Sequence, residues 1–191
     1  MRAMRMDALA IIERFYPEDD ALRRLLLDHS RKVRDKALSI LHSPQCPCRA
    51  QLDESLVRDG ALLHDIGIGR CHAPSICCHG AEDYLRHGII GAEMLRGLSP
   101  DLEPCARICE RHTGAGISRQ EIIARHLPLP PGDYLPVAAE EKLVCLADKF
   151  YSKSGDMREK TLPEIVRGLS RFGADSVARF RAMCGQFGLA E

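Results

Sequence analysis

Apolar residues recur at three- and four-residue intervals along nearly the whole chain, the spacing of one face of an α-helix. No strand-like alternation and no internal repeat interrupts it. Leu22, Leu26, Val33, Ala37 and Ile40 make the clearest stripe. The pattern predicts a short helix over about residues 4–15, stopped by Pro17, then a long one from the acids Glu18, Asp19 and Asp20 to about Leu41. A third starts near Glu54 with Asp53 as its cap and ends where Gly67 and Gly69 follow Ile66. Residues 70–86 read as irregular, and helices resume over about His87–Leu98 and Leu102–His112. Beyond Thr113-Gly114-Ala115-Gly116, the pair Ser118 and Glu121 opens a short helix to about His126. Further helices are expected over about Val137–Tyr151, from Thr161 with Glu164, and from about Ser176 to near Gly188. The prolines make Ser43–Cys48 and Leu127–Gly132 loops. The fold class is all-α, a single domain of about eight helices.

Composition narrows the function classes. The 191 residues are 45% hydrophobic and 28% charged, which excludes general disorder. Twenty-seven basic side chains balance 27 acidic ones, so binding to nucleic acid or membrane by bulk charge is not indicated. No window approaches the ~18 apolar residues of a bilayer span. Asp7, Glu13 and Arg14 break any apolar run that an export signal would need. Nine cysteines without such a signal point to reduced thiols and a cytoplasmic protein. Cys105, Cys109, Cys145 and Cys184 fall among apolar helical positions and are expected in the core.

Polar residues stand where apolar ones are expected. His29 falls on the stripe between Leu26 and Val33. Asp148 sits among Val144, Ala147 and Tyr151, and His112 continues Cys105, Ile108 and Cys109. His87 leads Gly91, Leu95 and Leu98, while His64-Asp65 ends the apolar run Ala61-Leu62-Leu63. A lone inward histidine is more often a hydrogen-bonded core residue than a ligand. Six such groups on five helical segments are harder to dismiss, and a shared metal centre satisfies them together. Imidazole and carboxylate without thiolate suit iron, manganese, zinc or cobalt in an open site. Four ligands hold one ion; six, with a bridging carboxylate, hold two about 3.5–4 Å apart.

The order His29, His64-Asp65, Asp148 resembles the H…HD…D pattern of the HD superfamily of metal-dependent phosphohydrolases. His64-Asp65-Ile66-Gly67 matches its "HDIG" form. His87-Gly88-Ile89-Ile90-Gly91-Ala92 is similar to the "HGxxGA" element of two-metal members, Arg111-His112-Thr113-Gly114 to "xHTG", and Glu141–Asp148 to "EKxxxxAD". The likeness covers residues 20–152 and leaves 153–191 as a C-terminal helical extension. It is strongest to small HDIG proteins of unassigned function, then to the diiron family that splits diadenosine tetraphosphate symmetrically. It implies an HD-type helical bundle with His29, His64, Asp65 and Asp148 as core ligands. Asp65 would bridge two divalent ions and act catalytically, with His87 and His112 completing the second ion's site. Iron is the first choice of metal; manganese, zinc, cobalt and nickel are alternatives. The implied reaction is hydrolysis of a nucleotide or similar small phosphoester by metal-activated hydroxide. A one-metal nucleotidase and a non-catalytic regulatory module are the other readings.

Two departures from the family pattern matter. Relatives often place Lys or Arg directly after HDIG, where this chain has Ile68. Arg70, Arg111, Lys142 and Lys149 are the candidate replacements for binding substrate phosphate, because phosphoryl transfer needs a cation. The other is an insertion-like segment, residues 71–79, rich in Cys and His. It is expected to form a rim over the site. Its cysteine spacing, like that of Cys46-Pro47-Cys48, is poor for tetrahedral zinc.

Overall fold

The computed structural model describes residues 7–189. Residues 4–6, expected to open the first helix, lie outside the described residues. The α-helices are α1 (Ala8–Phe15), α2 (Ala21–His42), α3 (Glu54–Leu63), α4 (His87–Leu98), α5 (Glu103–Arg111), α6 (Arg119–Ala124), α7 (Ala139–Asp148), α8 (Leu162–Leu169) and α9 (Ala174–Gln186). Side-chain caps close the helix starts, at Asp53 as expected and at Asp20, one of the acids expected to open α2. Asp20 accepts from the Arg23 amide at 2.8 Å, and Asp53 accepts from those of Ser55 and Leu56. Ser118 with Glu121, and Thr161 with Glu164, form reciprocal capping boxes.

One element differs in kind from the all-helical expectation. Residues 71–79 contain a small antiparallel pair, β1 (His72–Ala73) and β2 (Cys78–His79), joined by a 3-10 turn over Pro74–Ile76. Cys77 closes that turn at φ 63°, in the left-handed region. Two-residue strands are too short for alternation to register in the sequence.

Two apolar clusters fill the interior. The stripe of α2 divides between them: Leu26 packs with α1, α4 and α5, while Val33, Ala37 and Ile40 pack with α7, α8 and α9. Phe180, Phe187 and Ile165 belong to that second group, so the C-terminal helices complete the core rather than append to it. Each fully buried aliphatic or aromatic side chain contributes about 1.5–3 kcal/mol. Cys105, Cys109, Cys145 and Cys184 are all buried, as their positions suggest. α3 lies against α2, α5 and α7, and the residues that follow it enter the space between the clusters. No helix among the described residues is long and apolar enough to cross a membrane.

Candidate metal centre

The structure brings the six candidate ligands together in the interior, with His29, His64 and Asp65 wholly buried. His29 projects from the middle of α2. The others stand at helix ends: His64 and Asp65 follow α3, His87 opens α4, His112 follows α5 and Asp148 closes α7. Three helix C-termini therefore point into one space, and their partial negative charge favours a cation there.

Close backbone approach makes this convergence possible. A Cβ on Gly67 would lie 2.2 Å from the His87 carbonyl oxygen and 2.5 Å from the Gly91 amide nitrogen. A Cβ on Gly88 would lie 2.5 Å from the Cys109 carbonyl oxygen. Glycine at these positions lets the turn carrying Asp65 rest on α4, and α4 rest on the end of α5. Tyr16 holds the same turn from behind. Its hydroxyl donates to the Ile66 carbonyl at 2.6 Å and accepts from the Gly69 amide at 3.0 Å.

Backbone carbonyls also orient the rings. Nδ1 of His64, His87 and His112 donates to the carbonyls of Ala61, Tyr84 and Cys109 at 2.7, 2.6 and 2.6 Å. A carbonyl only accepts, so Nδ1 carries a proton in each ring, and when neutral each presents an Nε2 lone pair inward, the tautomer a metal ligand needs.

Asp65 stands at the centre with its oxygens on different partners. Oδ2 lies 3.3 Å from His29 Nε2 and 3.0 Å from His64 Nε2. Oδ1 lies 3.3 Å from His87 Nε2 and 3.4 Å from His112 Nε2. Asp148 Oδ1 is 3.0 Å from His29 Nε2 and 3.4 Å from His64 Nε2. The donors fall into two groups, His29–His64–Asp65–Asp148 and Asp65–His87–His112, each with its atoms within 4.8 Å of one another.

These residues fit divalent cations. His64 Nε2 and both Asp65 oxygens are buried without a hydrogen-bond partner, a costly arrangement for protein atoms alone. The lone-pair nitrogens of His87 and His112 face each other at 3.0 Å. Neighbouring ligands each about 2.1 Å from one ion stand about 3.0–3.4 Å apart, which matches the spacings here. Titration behaviour agrees. Burial pushes His29 down to about 4 and His112 down to about 3, keeping both rings neutral. Burial also disfavours charge on His64, but the Asp65 and Asp148 carboxylates outweigh it and push that ring up to about 9. The carboxylates thus favour positive charge at the place where a cation would sit. Burial disfavours ionisation of Asp65 too, yet His64 and Lys153 hold it well below the usual carboxylate range.

The cations differ from expectation. Arg70 is exposed at the end of a 3-10 turn and does not reach the site. Arg111 Nη1 binds Glu141 Oε2 at 3.2 Å, alongside Arg107 Nε on Oε1 at 2.8 Å. Glu141 is itself buried and accepts the Val137 amide at 2.7 Å, so this cluster fixes the start of α7. Lys142 is half-buried on α7, away from the cavity over the centre. Lys149 does reach the site, with Nζ 2.6 Å from Asp148 Oδ2. Sequence reasoning missed Lys153, whose Nζ lies 2.6 Å from Asp65 Oδ2 as an ion pair outside hydrogen-bond geometry. The expected helix to Tyr151 would carry Lys153 past the site. α7 instead stops at Asp148, and the following turns fold Lys153 back over Asp65. Its flanking serines, Ser152 and Ser154, were the available signal for a chain break.

A cavity of about 640 Å³ opens over Asp148, lined by Tyr84, Lys149, Lys153 and Lys160 among others. Ala73, Ser75 and Ile76 give it a rim from the 71–79 segment. His79 is exposed on β2. Among the described residues, the groups able to share a metal contain no cysteine.

The family model described as HD domain matches residues 26–152. An uncharacterised protein of Methanocaldococcus jannaschii is 49% identical over 100 residues, 52% of this chain and 51% of that protein. A tRNA (cytidine(56)-2'-O)-methyltransferase of Thermoplasma volcanium is 32% identical over 162 residues, 85% of this chain but 41% of that protein. The chain thus spans about half the length, or less, of these curated relatives. The crystal structure of the HD domain of the L. monocytogenes phosphodiesterase PgpH aligns with a TM-score of 0.48 and 19% identity, over 96% of this chain and 88% of that one. With the family model matching from within α2 to just beyond Asp148, well over half of the chain, the chain belongs to the HD domain family.

Proposed function

We propose that the chain is a metal-dependent phosphohydrolase that holds two divalent cations and hydrolyses a small phosphoester, of which nucleotides are the first class to test. The observation that carries this reading is the division of Asp65: one oxygen faces His29 and His64, which Asp148 also contacts, and the other faces His87 and His112. A carboxylate so placed would hold one divalent cation on each oxygen. Iron is the first metal to test, with manganese, zinc, cobalt and nickel as alternatives for this nitrogen and oxygen donor set. Divalent cations held here supply Lewis-acid charge neutralisation and lower the pKa of water.

The chain's own residues do the rest by positioning. Hydrogen bonds to three carbonyls fix the His64, His87 and His112 rings before any ligand arrives, so little reorganisation opposes binding. Lys149 and Lys153, each on a ligand carboxylate, put positive charge where the non-bridging oxygens of a phosphoester enter. Phosphoryl transfer depends mainly on such placement and charge neutralisation. The cavity is of the size that holds a small molecule.

The test is a phosphoester panel offered to protein loaded with iron or manganese: nucleotides, cyclic nucleotides, dinucleoside polyphosphates and RNA-terminal phosphates. The partial likeness to tRNA methyltransferases motivates the last arm. Turnover of at least one class, with two ions per chain, is expected. Full metal occupancy without turnover of any class would count against an enzyme. One ion per chain under excess metal would count against the dinuclear reading.

A further inference from the structure

The cavity over the centre holds more positive charge than the centre itself accounts for. Lys149 and Lys153 are each paired with a ligand carboxylate. Glu164, an acid on the cavity wall, is taken by both terminal nitrogens of Arg158 and by the capping contacts of Thr161. Lys160 and Arg171 line the same cavity, and among the described residues neither has a carboxylate within ion-pair distance. Lys160 is half-buried, and only its backbone amide is engaged, on the Phe150 carbonyl at 2.8 Å. Burial lowers its pKa; the Asp148 carboxylate, and more weakly Glu164, oppose this, while the ammonium groups of Lys149 and Lys153 add to the lowering. Lys160 thus presents a half-buried ammonium to the cavity beside two others, with no carboxylate within ion-pair distance, an arrangement that an anion from outside would stabilise. Arg171 stands exposed on the cavity wall, its Nε donating to the Gly168 carbonyl at 3.3 Å.

We propose that Lys160, with Arg171, forms a subsite for a second anionic group of the substrate, a phosphate or carboxylate distinct from the phosphate that is cleaved. The substrate class is then a small phosphoester with two anionic ends, the scissile end over Asp65 and Asp148 and the other at Lys160. This rests on the phosphohydrolase reading, and it sharpens it: a phosphoester with one charged group would leave Lys160 uncompensated.

Equilibrium binding of a ligand series to the manganese-loaded protein tests the subsite without turnover. The series comprises alkylphosphonates, ω-phosphonocarboxylates and alkylene bisphosphonates, each with one to four linking carbons. At the best length, a second anion should tighten binding by about tenfold, the low end for a charge-assisted contact in a partly open site. Whether the carboxylate or the second phosphonate binds better identifies the group. Lys160→Met and Lys160→Gln should both erase that gain while leaving alkylphosphonate affinity within about twofold. Equal binding of alkylphosphonates and dianionic ligands at every length, or a gain that survives both substitutions, would overturn the subsite and leave the phosphohydrolase reading standing. Failure of every phosphonate to bind the metal-loaded protein would overturn both.

Discussion

Replacing Gly67 by alanine should uncouple the two halves of the proposed metal centre while the chain still folds. The added carbon would sit 2.2 Å from the His87 carbonyl oxygen and 2.5 Å from the Gly91 nitrogen, both backbone atoms of α4 that no rotamer change can remove. Ordinary contact requires about 3.5 Å, so the turn and α4 must part by about 1 Å. Metal coordination tolerates displacements of only about 0.2 Å. His87, at the start of α4, then loses its 3.3 Å relation to Asp65 Oδ1, whereas His29, His64 and Asp148 lie on other elements. Bound metal should fall from two ions per chain to one. Phosphoester turnover should drop at least about 100-fold, as 1 Å misplacements do. Overpacking should cost about 1–3 kcal/mol in urea unfolding. Gly97→Ala is the matched control, because Gly97 lies on the same helix with nothing within 4 Å of its added carbon. It should keep both ions and gain about 0.4–1 kcal/mol. Two ions and undiminished turnover in Gly67→Ala would refute the claim that this close approach builds the second site.

Other outcomes follow from single contacts. Asp65→Asn should abolish metal retention and, by leaving Lys153 beside a neutral group, lower stability by about 3–5 kcal/mol; metal analysis and urea melts check this, and Asp65→Asn/Lys153→Met should recover part of the stability loss. Lys153→Met alone should keep the ions but lower kcat/KM at least about tenfold, and an unchanged kcat/KM would remove Lys153 from phosphate binding. Glu141 supplies a pH dependence. Burial pushes its carboxyl up, but the Val137 amide, Arg107 and Arg111 outweigh burial and hold it below the usual glutamate range. Its folded pKa is thus below the unfolded one, so its stabilisation is complete above about pH 4.3 and is lost as pH falls through the folded value. Glu141→Gln should therefore be less stable at pH 7 and lose less stability than the wild type between pH 5 and 3, and parallel stability curves would contradict the assignment.

Much of the molecule is legible in the sequence because local rules govern it. Helical periodicity, the acids that open α2, the caps at Asp53, Ser118 and Thr161, and the prolines located the helices, since each depends on contacts within a few residues. The six inward histidines and aspartates stood out because each breaks an apolar stripe, and a stripe is a property of one helix. Strands β1 and β2 escaped notice because two residues carry no period.

The tertiary structure decided what depends on distance between separate elements. That Asp65 turns one oxygen to His29 and His64 and the other to His87 and His112 follows from how the turn after α3 settles onto α4, and no residue spacing encodes it. The same holds for the cations. Arg111 sits beside a candidate ligand in sequence, yet the buried carboxylate of Glu141 draws it away. Lys153 sits beyond the expected helix, yet an early stop at Asp148 folds it onto Asp65. Charge finds its partner by proximity in space, where a buried acid outweighs sequence adjacency. The sequence therefore determined the kinds of groups that meet at this centre, and packing determined which of them face one another.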